Sequence, residues 1–447
     1  MNASVSDQGS ARGWLGGTAH VQIPRSIYIP LAATLVMFLA SNTFYTAATV
    51  LMNAVKWAPM GLLLVMGMSA LSGRRYPQCP PTLFFALMLM FGLGVVGSYL
   101  GLQPAFGILP LVSVVLCIGT AYVAAAALVV TDSRRAFFDL IAVLGRVMLV
   151  ACVLFYLARI NMGRGQGFAA WVDNPNTLAA MLAPSAVVFF AGCIERRPGW
   201  IKWDLSFLIV ALPMIALTNG RASFIWVGLS MLVFWLYRRG SWITMIAAIV
   251  ATIAMIGWWD VILAAIGHWL QVDIAPERAA KVGPLSGREE VWRIGWQLFT
   301  ERPTFGYGFG SSQILLQAES WRFVRHQGIH FHSSYLMSLV ETGLFGFILF
   351  MVTLIATIVR GILDGRRTRL LPRESWPTTA LPLAMMIGAM GHALFESWLI
   401  AAGNVNTLMF WTCVWLIHFQ AQIPLRAVPQ NRAPIRERSA AALLRAR

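Results

Sequence analysis

Three histidines fall within seven residues, His326, His330 and His332, just ahead of an apolar run that opens HFHSSYLMSLVETGLFG at residue 330. A free imidazole titrates at about pH 6.5, so each can take a proton as a general base near neutrality. Three together could also ligate zinc. No cysteine or well-placed carboxylate completes a ligand set nearby, so no metal site is expected. The plain alternative for His332 is an interfacial imidazole bonded to a lipid headgroup or a loop carbonyl.

Cations form the second group. In PLSGREEVW, Ser286 followed by Glu289 reads as a capping box, which places Arg288 in the first turn of a helix. A guanidinium beside free backbone N–H groups suits a phosphate; otherwise Arg288 merely pairs with Glu289 or Glu290. Arg221 interrupts apolar sequence in TNGRASF, Lys56 sits in an apolar run, Arg159 lies just ahead of the segment 161–176 and Arg164 near its start. In that segment Asn176 is read as the cap of the following helix, while Asp173 and Asn174 either bind a ligand or hold the turn. His392 and Glu396 are four apart, which on a helix puts them on one face. Glu341 lies ~14 Å along its helix from His332 and is read as a buried partner rather than a catalytic group. Arg146 is read as snorkelling or pairing. The glycines of FGYGFGSS permit tight turns; their spacing is not a dinucleotide fingerprint.

The elements that must position these groups follow from composition. The 447 residues are 58% hydrophobic and only 12% charged, more apolar surface than a soluble core can hide. Apolar runs near 27–46, 50–71, 82–100, 105–130, 137–160, 177–193, 203–217, 223–237, 241–264, 333–359, 379–398 and 403–421 can each span a ~30 Å hydrocarbon layer as helices. Clusters such as Arg74/Arg75, Arg134/Arg135, Arg196/Arg197, Arg238/Arg239 and Arg366/Arg367 fall in alternate connections. The positive-inside rule then puts both termini in the cytoplasm. The same bias explains the net charge of +16 without a nucleic-acid partner. The expected fold class is an all-α polytopic membrane protein of about twelve transmembrane helices with one long periplasmic helical loop. Its organisation would be a disordered cytoplasmic tail (1–24), transmembrane helices (25–264), the periplasmic loop (265–332), further transmembrane helices (333–421) and a basic cytoplasmic tail (422–447). No removable signal peptide is expected, and the five scattered cysteines suggest no disulfide framework.

Ionisable groups in lipid cost on the order of 2.5–3.5 kcal/mol each, so they mark function or internal pairing. Here they gather at the outer end. Cations there imply an anionic substrate, and a lipid pyrophosphate fits: tail in the bilayer, diphosphate on the arginines, sugar in the aqueous loop. Trp292, Trp296, Tyr307 and Trp321 either stack on sugars or fill the loop's own core.

The order SGREEVW, GYGFGS, HFHSSYLMSLVETGLFG, together with DNPNTLAA, LTNGRAS and HALFES, resembles the O-antigen ligase and O-antigen polymerase superfamily over roughly 160–400. The resemblance implies a membrane glycosyltransferase-C type of fold. It also implies transfer of a glycan from undecaprenyl pyrophosphate with neither metal nor nucleotide cofactor. It assigns activity to His332 and pyrophosphate binding to Arg221 and Arg288; Arg164 and Lys56 are further candidates from their place among the outer-end cations, not from the resemblance. His330 shares the chemistry, so which imidazole is the base stays open. Glu396, His392 and Asn176 are supporting. For a ligase the acceptor would be lipid A–core oligosaccharide, and the site would face the periplasm from the bacterial inner membrane. The alternatives are a polymerase with the same donor, and a secondary transporter, which the lack of an internal repeat disfavours.

Overall fold

The computed structural model describes residues 25–42, 46–74, 77–99, 104–163, 167–195, 201–239, 288–319, 321, 330–368, 380–401 and 403–422. Expectations resting on Arg164, Ser286, His326, the run 241–264, most of the loop 265–332 and both tails lie outside them. A helix stands at every other expected span: α1 (Arg25–Ala40), α2 (Thr46–Val55), α3 (Trp57–Leu71), α4 (Pro81–Tyr99), α5 (Pro104–Val130), α6 (Arg134–Leu157), α7 (Pro175–Ile194), α8 (Ile201–Leu217) and α9 (Arg221–Arg239), then α12 (Ser334–Thr368), α13 (Ala380–His392) and α14 (Val405–Gln420). Between α9 and α12 come α10 (Arg288–Glu301) and α11 (Ser311–Ala318). Among the described residues, six helical stretches are long and apolar enough to cross a membrane: Val50–Leu71, Pro81–Tyr99, Gly107–Val130, Arg134–Leu157, Pro175–Ile194 and Ser334–Gly365. Ser26–Ala40, Trp203–Leu217 and Ala380–His392 are shorter apolar helices. The chain is a helical membrane protein.

The helices sort by what surrounds them. On α6, Val143, Val147, Val150, Leu154 and Leu157 recur every three or four residues and are all exposed, a stripe suited to lipid. On α14 nearly every residue from Val405 to Phe419 is buried, which makes it a central helix, packed chiefly on α5. Lipid gives no hydrophobic drive to pair such helices, so close contact through small residues takes over. Where α13 crosses α9, a Cβ on Gly388 would lie 2.4 Å from the Trp226 carbonyl oxygen. One intramembrane charge pair links two helices: Arg146 Nη2 meets Asp204 Oδ1 at 2.6 Å, joining α6 to α8, and the guanidinium lies over Phe189 and Phe207.

The helix α12 is not continuous. Gly343 has φ 63° and ψ −169°, which interrupts the ladder. Backbone polar groups at membrane depth must find protein partners. They find them in the glycine-rich segment. Tyr307 N–H donates to Val340 O (2.9 Å), Gly308 N–H to Glu341 O (3.0 Å), and Leu344 N–H to Pro303 O (2.7 Å). The turns allowed by Gly306, Gly308 and Gly310 (φ 71°, 98° and 74°) thus wedge this segment into the break. A Cβ at position 343 would sit 2.3 Å from Thr304 O and force a left-handed φ on an L side chain. Gly343→Val is therefore expected to abolish a monodisperse peak in detergent size exclusion. Gly92→Ala, where a Cβ meets nothing within 4 Å, should leave the peak unchanged.

One expectation is corrected here. The helix α13 stops at His392, so Glu396 is not on its face but in the non-helical segment that follows. The reason is nonlocal. Ser334, the first residue of α12, collects that segment's backbone: its N–H donates to Ala393 O (2.9 Å) and Glu396 O (3.1 Å). Its Oγ donates to Glu396 O (2.8 Å) and accepts from Trp398 N–H (3.0 Å) and Leu399 N–H (3.2 Å).

Candidate active site

The segment 393–399, stitched to the start of α12, carries Glu396 to the two groups that the sequence singled out most strongly. Arg288 opens α10, and its Nη2 donates to Glu396 Oε1 at 2.8 Å. His332 Nδ1 lies 3.3 Å from Glu396 Oε2. One carboxylate therefore bridges a guanidinium and an imidazole. Because an ionised carboxylate only accepts, the pairing puts the proton of a neutral His332 on Nδ1 and leaves Nε2 with its lone pair. Burial works against ionising Glu396. The hydrogen bond and charge of His332, with the charges of Arg288 and His392, outweigh it and hold the carboxyl well below the usual carboxylate range.

The backbone supports the cluster. His332 has φ 49°, a left-handed conformation. It is held between a buried Phe331, whose carbonyl accepts Trp292 Nε1–H at 2.9 Å, and Ser333, whose N–H donates to Ser397 Oγ at 2.9 Å. Trp292 is thus part of the local core, and Tyr307 is bound to Glu301 Oε2 at 2.5 Å; Trp296 and Trp321 are exposed. His330 stands with its ring perpendicular to that of His332, centroids 6.5 Å apart. Burial, then the charge of His332, lower its proton affinity against a smaller opposing pull from Glu396.

The other candidates fall in different places. His392 is enclosed: Trp398 Nε1–H donates to its Nδ1 at 2.8 Å, Ser223 Oγ lies 3.4 Å from its Nε2, and Trp226 packs beside it. It positions the end of α13. Arg221 is the first residue of α9, two before Ser223, so it lies at the same end of the bundle as His392. Lys56 sits at the break between α2 and α3, donating to Asn53 Oδ1 (2.7 Å) and Gly403 O (3.1 Å). Glu341 is buried and accepts from Ser312 Oγ–H at 2.5 Å, the partner role expected of it. Asn176 is not a cap: Asn174 is, its side chain accepting from Asn176 N–H at 2.9 Å, with Pro175 as the first helical residue. Among the described residues, no group of three or more His, Cys, Asp or Glu could hold a metal ion.

Residues 205–351 match the family described as O-antigen ligase. Over that stretch, about a third of its length, the chain is similar to the O-antigen ligase family. The matched stretch contains Arg221, Arg288, His330, His332 and Glu341, and it ends before His392 and Glu396. The chain is also 29% identical over 154 residues to the exopolysaccharide production protein ExoQ of Rhizobium meliloti (strain 1021). That alignment covers 33% of this chain and 30% of the relative, so the chain spans just under a third of that protein's length.

Proposed function

We propose that this chain is a member of the O-antigen ligase family and an inverting glycosyltransferase of the bacterial inner membrane. It moves O-antigen polysaccharide from undecaprenyl pyrophosphate to lipid A–core oligosaccharide at a site facing the periplasm. The observation that carries the reading is the Glu396 carboxylate joining Arg288 to His332. It joins a diphosphate ligand to a base oriented for use. His332 Nε2 takes the proton of an acceptor hydroxyl. The freed oxygen bonds to the anomeric carbon from the face opposite the leaving group. The carbon–oxygen bond to the carrier breaks, and its electron pair leaves with undecaprenyl pyrophosphate. Arg288 and Arg221, with Arg164 as a further ligand, meet that negative charge, a stabilisation that grows along the reaction. Metal independence, about twelve spans and the outer loop 265–332 belong to this same proposal.

Similarity to an exopolysaccharide production protein favours one second reading, a polymerase with the same donor and a lipid-linked glycan as acceptor. Purified full-length protein in detergent, given the donor lipid and lipid A–core, should yield joined product. Joining only between two donor molecules would establish the polymerase instead, and no joining of either kind would defeat both. The Arg221→Ala plus Arg288→Ala variant should bind undecaprenyl pyrophosphate at least about a hundredfold more weakly, as expected for losing two charge-assisted contacts, each worth about 1.5–3 kcal/mol.

A further inference from the structure

A cavity of about 720 Å³ opens beside the cluster, within the range of small-molecule sites. His330 lines it, as does Ser397, whose hydroxyl holds Ser333; Arg221, Arg288 and His332 do not. The walls are rich in side-chain amides from separate segments: Asn42, Asn53, Asn174, Gln313 and Asn404, with the carboxylate of Asp173 among them. Lys56 is the one Lys or Arg among the described residues lining it. A diphosphate here would set its charges against Asp173 with a single cation to meet them, and that cation already donates to Asn53 and Gly403. Amides suit another class of ligand. Each offers two donors and an acceptor, and a carboxylate accepts from hydroxyls, so together they match a ring that carries many hydroxyl groups. Gln313 is held in place from behind, because Ser312 is fixed to the buried Glu341.

We propose that this cavity is the acceptor's sugar site: an uncharged, hydroxyl-rich saccharide lies against the amides and Asp173, next to His330, while the donor's diphosphate stays on the Arg288 side. This assignment rests on the glycosyl-transfer reading above. It divides the machinery into an amide-lined half that reads the acceptor and a guanidinium half that holds the donor. Neither substrate then has to displace the other to reach the imidazoles. It also makes Gln313 and Asp173 determinants of acceptor choice.

The test uses the purified full-length protein with lipid A–core and the donor lipid. Gln313→Ala and Asp173→Ala should each raise the acceptor KM by about tenfold, the loss of one well-made polar contact, while the donor KM stays within about twofold. In parallel, delipidated core oligosaccharide and undecaprenyl pyrophosphate are titrated separately into wild type and both variants, followed by tryptophan fluorescence. Weaker oligosaccharide binding with unchanged pyrophosphate binding supports the assignment. Unchanged oligosaccharide binding, or weaker pyrophosphate binding, overturns it. If wild type transfers no glycan, the glycosyl-transfer reading has failed and the titrations still judge the cavity. If wild type transfers and both variants keep the acceptor KM, the cavity assignment alone has failed.

Discussion

His332→Asn is expected to lower transfer by ~10²–10⁴-fold, the contribution of a well-placed general base, while leaving a protein that elutes and melts like wild type. Asn is the right replacement because of the backbone. At φ 49° His332 occupies a region that Asn tolerates better than Ala or any branched residue. The side chain also retains an amide that can donate to Glu396, so the segment 330–333 keeps its docking. What disappears is the imidazole lone pair. Turnover would be measured with labelled donor at saturating lipid A–core. Retention of more than a third of wild-type turnover would remove His332 from the chemistry. His330→Asn is the companion experiment, since the neighbouring imidazole is the rival base. The acid limb tests for a His330 base. Burial and the charge of His332 push the proton affinity of His330 down, so a His330 base would stay unprotonated and active to pH values below the usual 6.5. An enzyme whose rate falls only well below pH 6.5, and which survives His332→Asn, would be using His330.

Much of the scaffold was legible because apolar length is a blunt signal. A run long enough to span lipid has few alternatives to a helix, and each such run within the described residues is one. The clustering of Arg288, Glu396 and His332 was half legible: residue types and motif order named the participants, but not the contact. Helical spacing put Glu396 on the face of His392, and that inference fails because the hydroxyl of Ser334, 62 residues earlier in the chain, collects the carbonyl and amides of 396–399. The break at Gly343 was hidden for the same reason. VETGLFGF continues apolar on both sides, and the partners that make the break tolerable come from 303–308. Asn174 was different, since a local signal was present. Proline is favoured as the first residue of a helix, which points to the residue before Pro175 as the cap and not to the one after it. The amide lining of the cavity had no local signature at all, because its residues come from segments far apart in sequence that only the packed bundle brings together.

Glu396 distinguishes orientation from mere charge. In the structure its Oε1 accepts from Arg288 and its Oε2 faces His332 Nδ1. Glu396→Gln keeps the size and can keep the bond from Arg288 through its carbonyl oxygen. Its NH₂ then faces Nδ1 and favours the tautomer that carries the proton on Nε2, which cannot act as a base. Elsewhere the wrong imidazole tautomer costs up to ~10⁴ in turnover with geometry intact. Glu396→Gln is therefore expected to lose at least ~10²-fold in kcat and change the donor KM little, while Glu396→Asp recovers part of the loss. Turnover within twofold of wild type in Glu396→Gln would show that Glu396 only supports the fold. Stability gives a separate reading of the same contact. With side chains 16% and 19% exposed, the Arg288–Glu396 pair lies between an exposed pair, worth up to ~1 kcal/mol, and a buried one, whose breaking costs ~3–5 kcal/mol. Since folding lowers the proton affinity of Glu396, its stabilisation is complete above the unfolded-state value of ~4.3 and is lost as pH falls towards the folded-state value. Wild type should thus lose thermal stability on acidification below about pH 4 by more than Glu396→Gln does, because the neutral side chain has no ionisation left to lose.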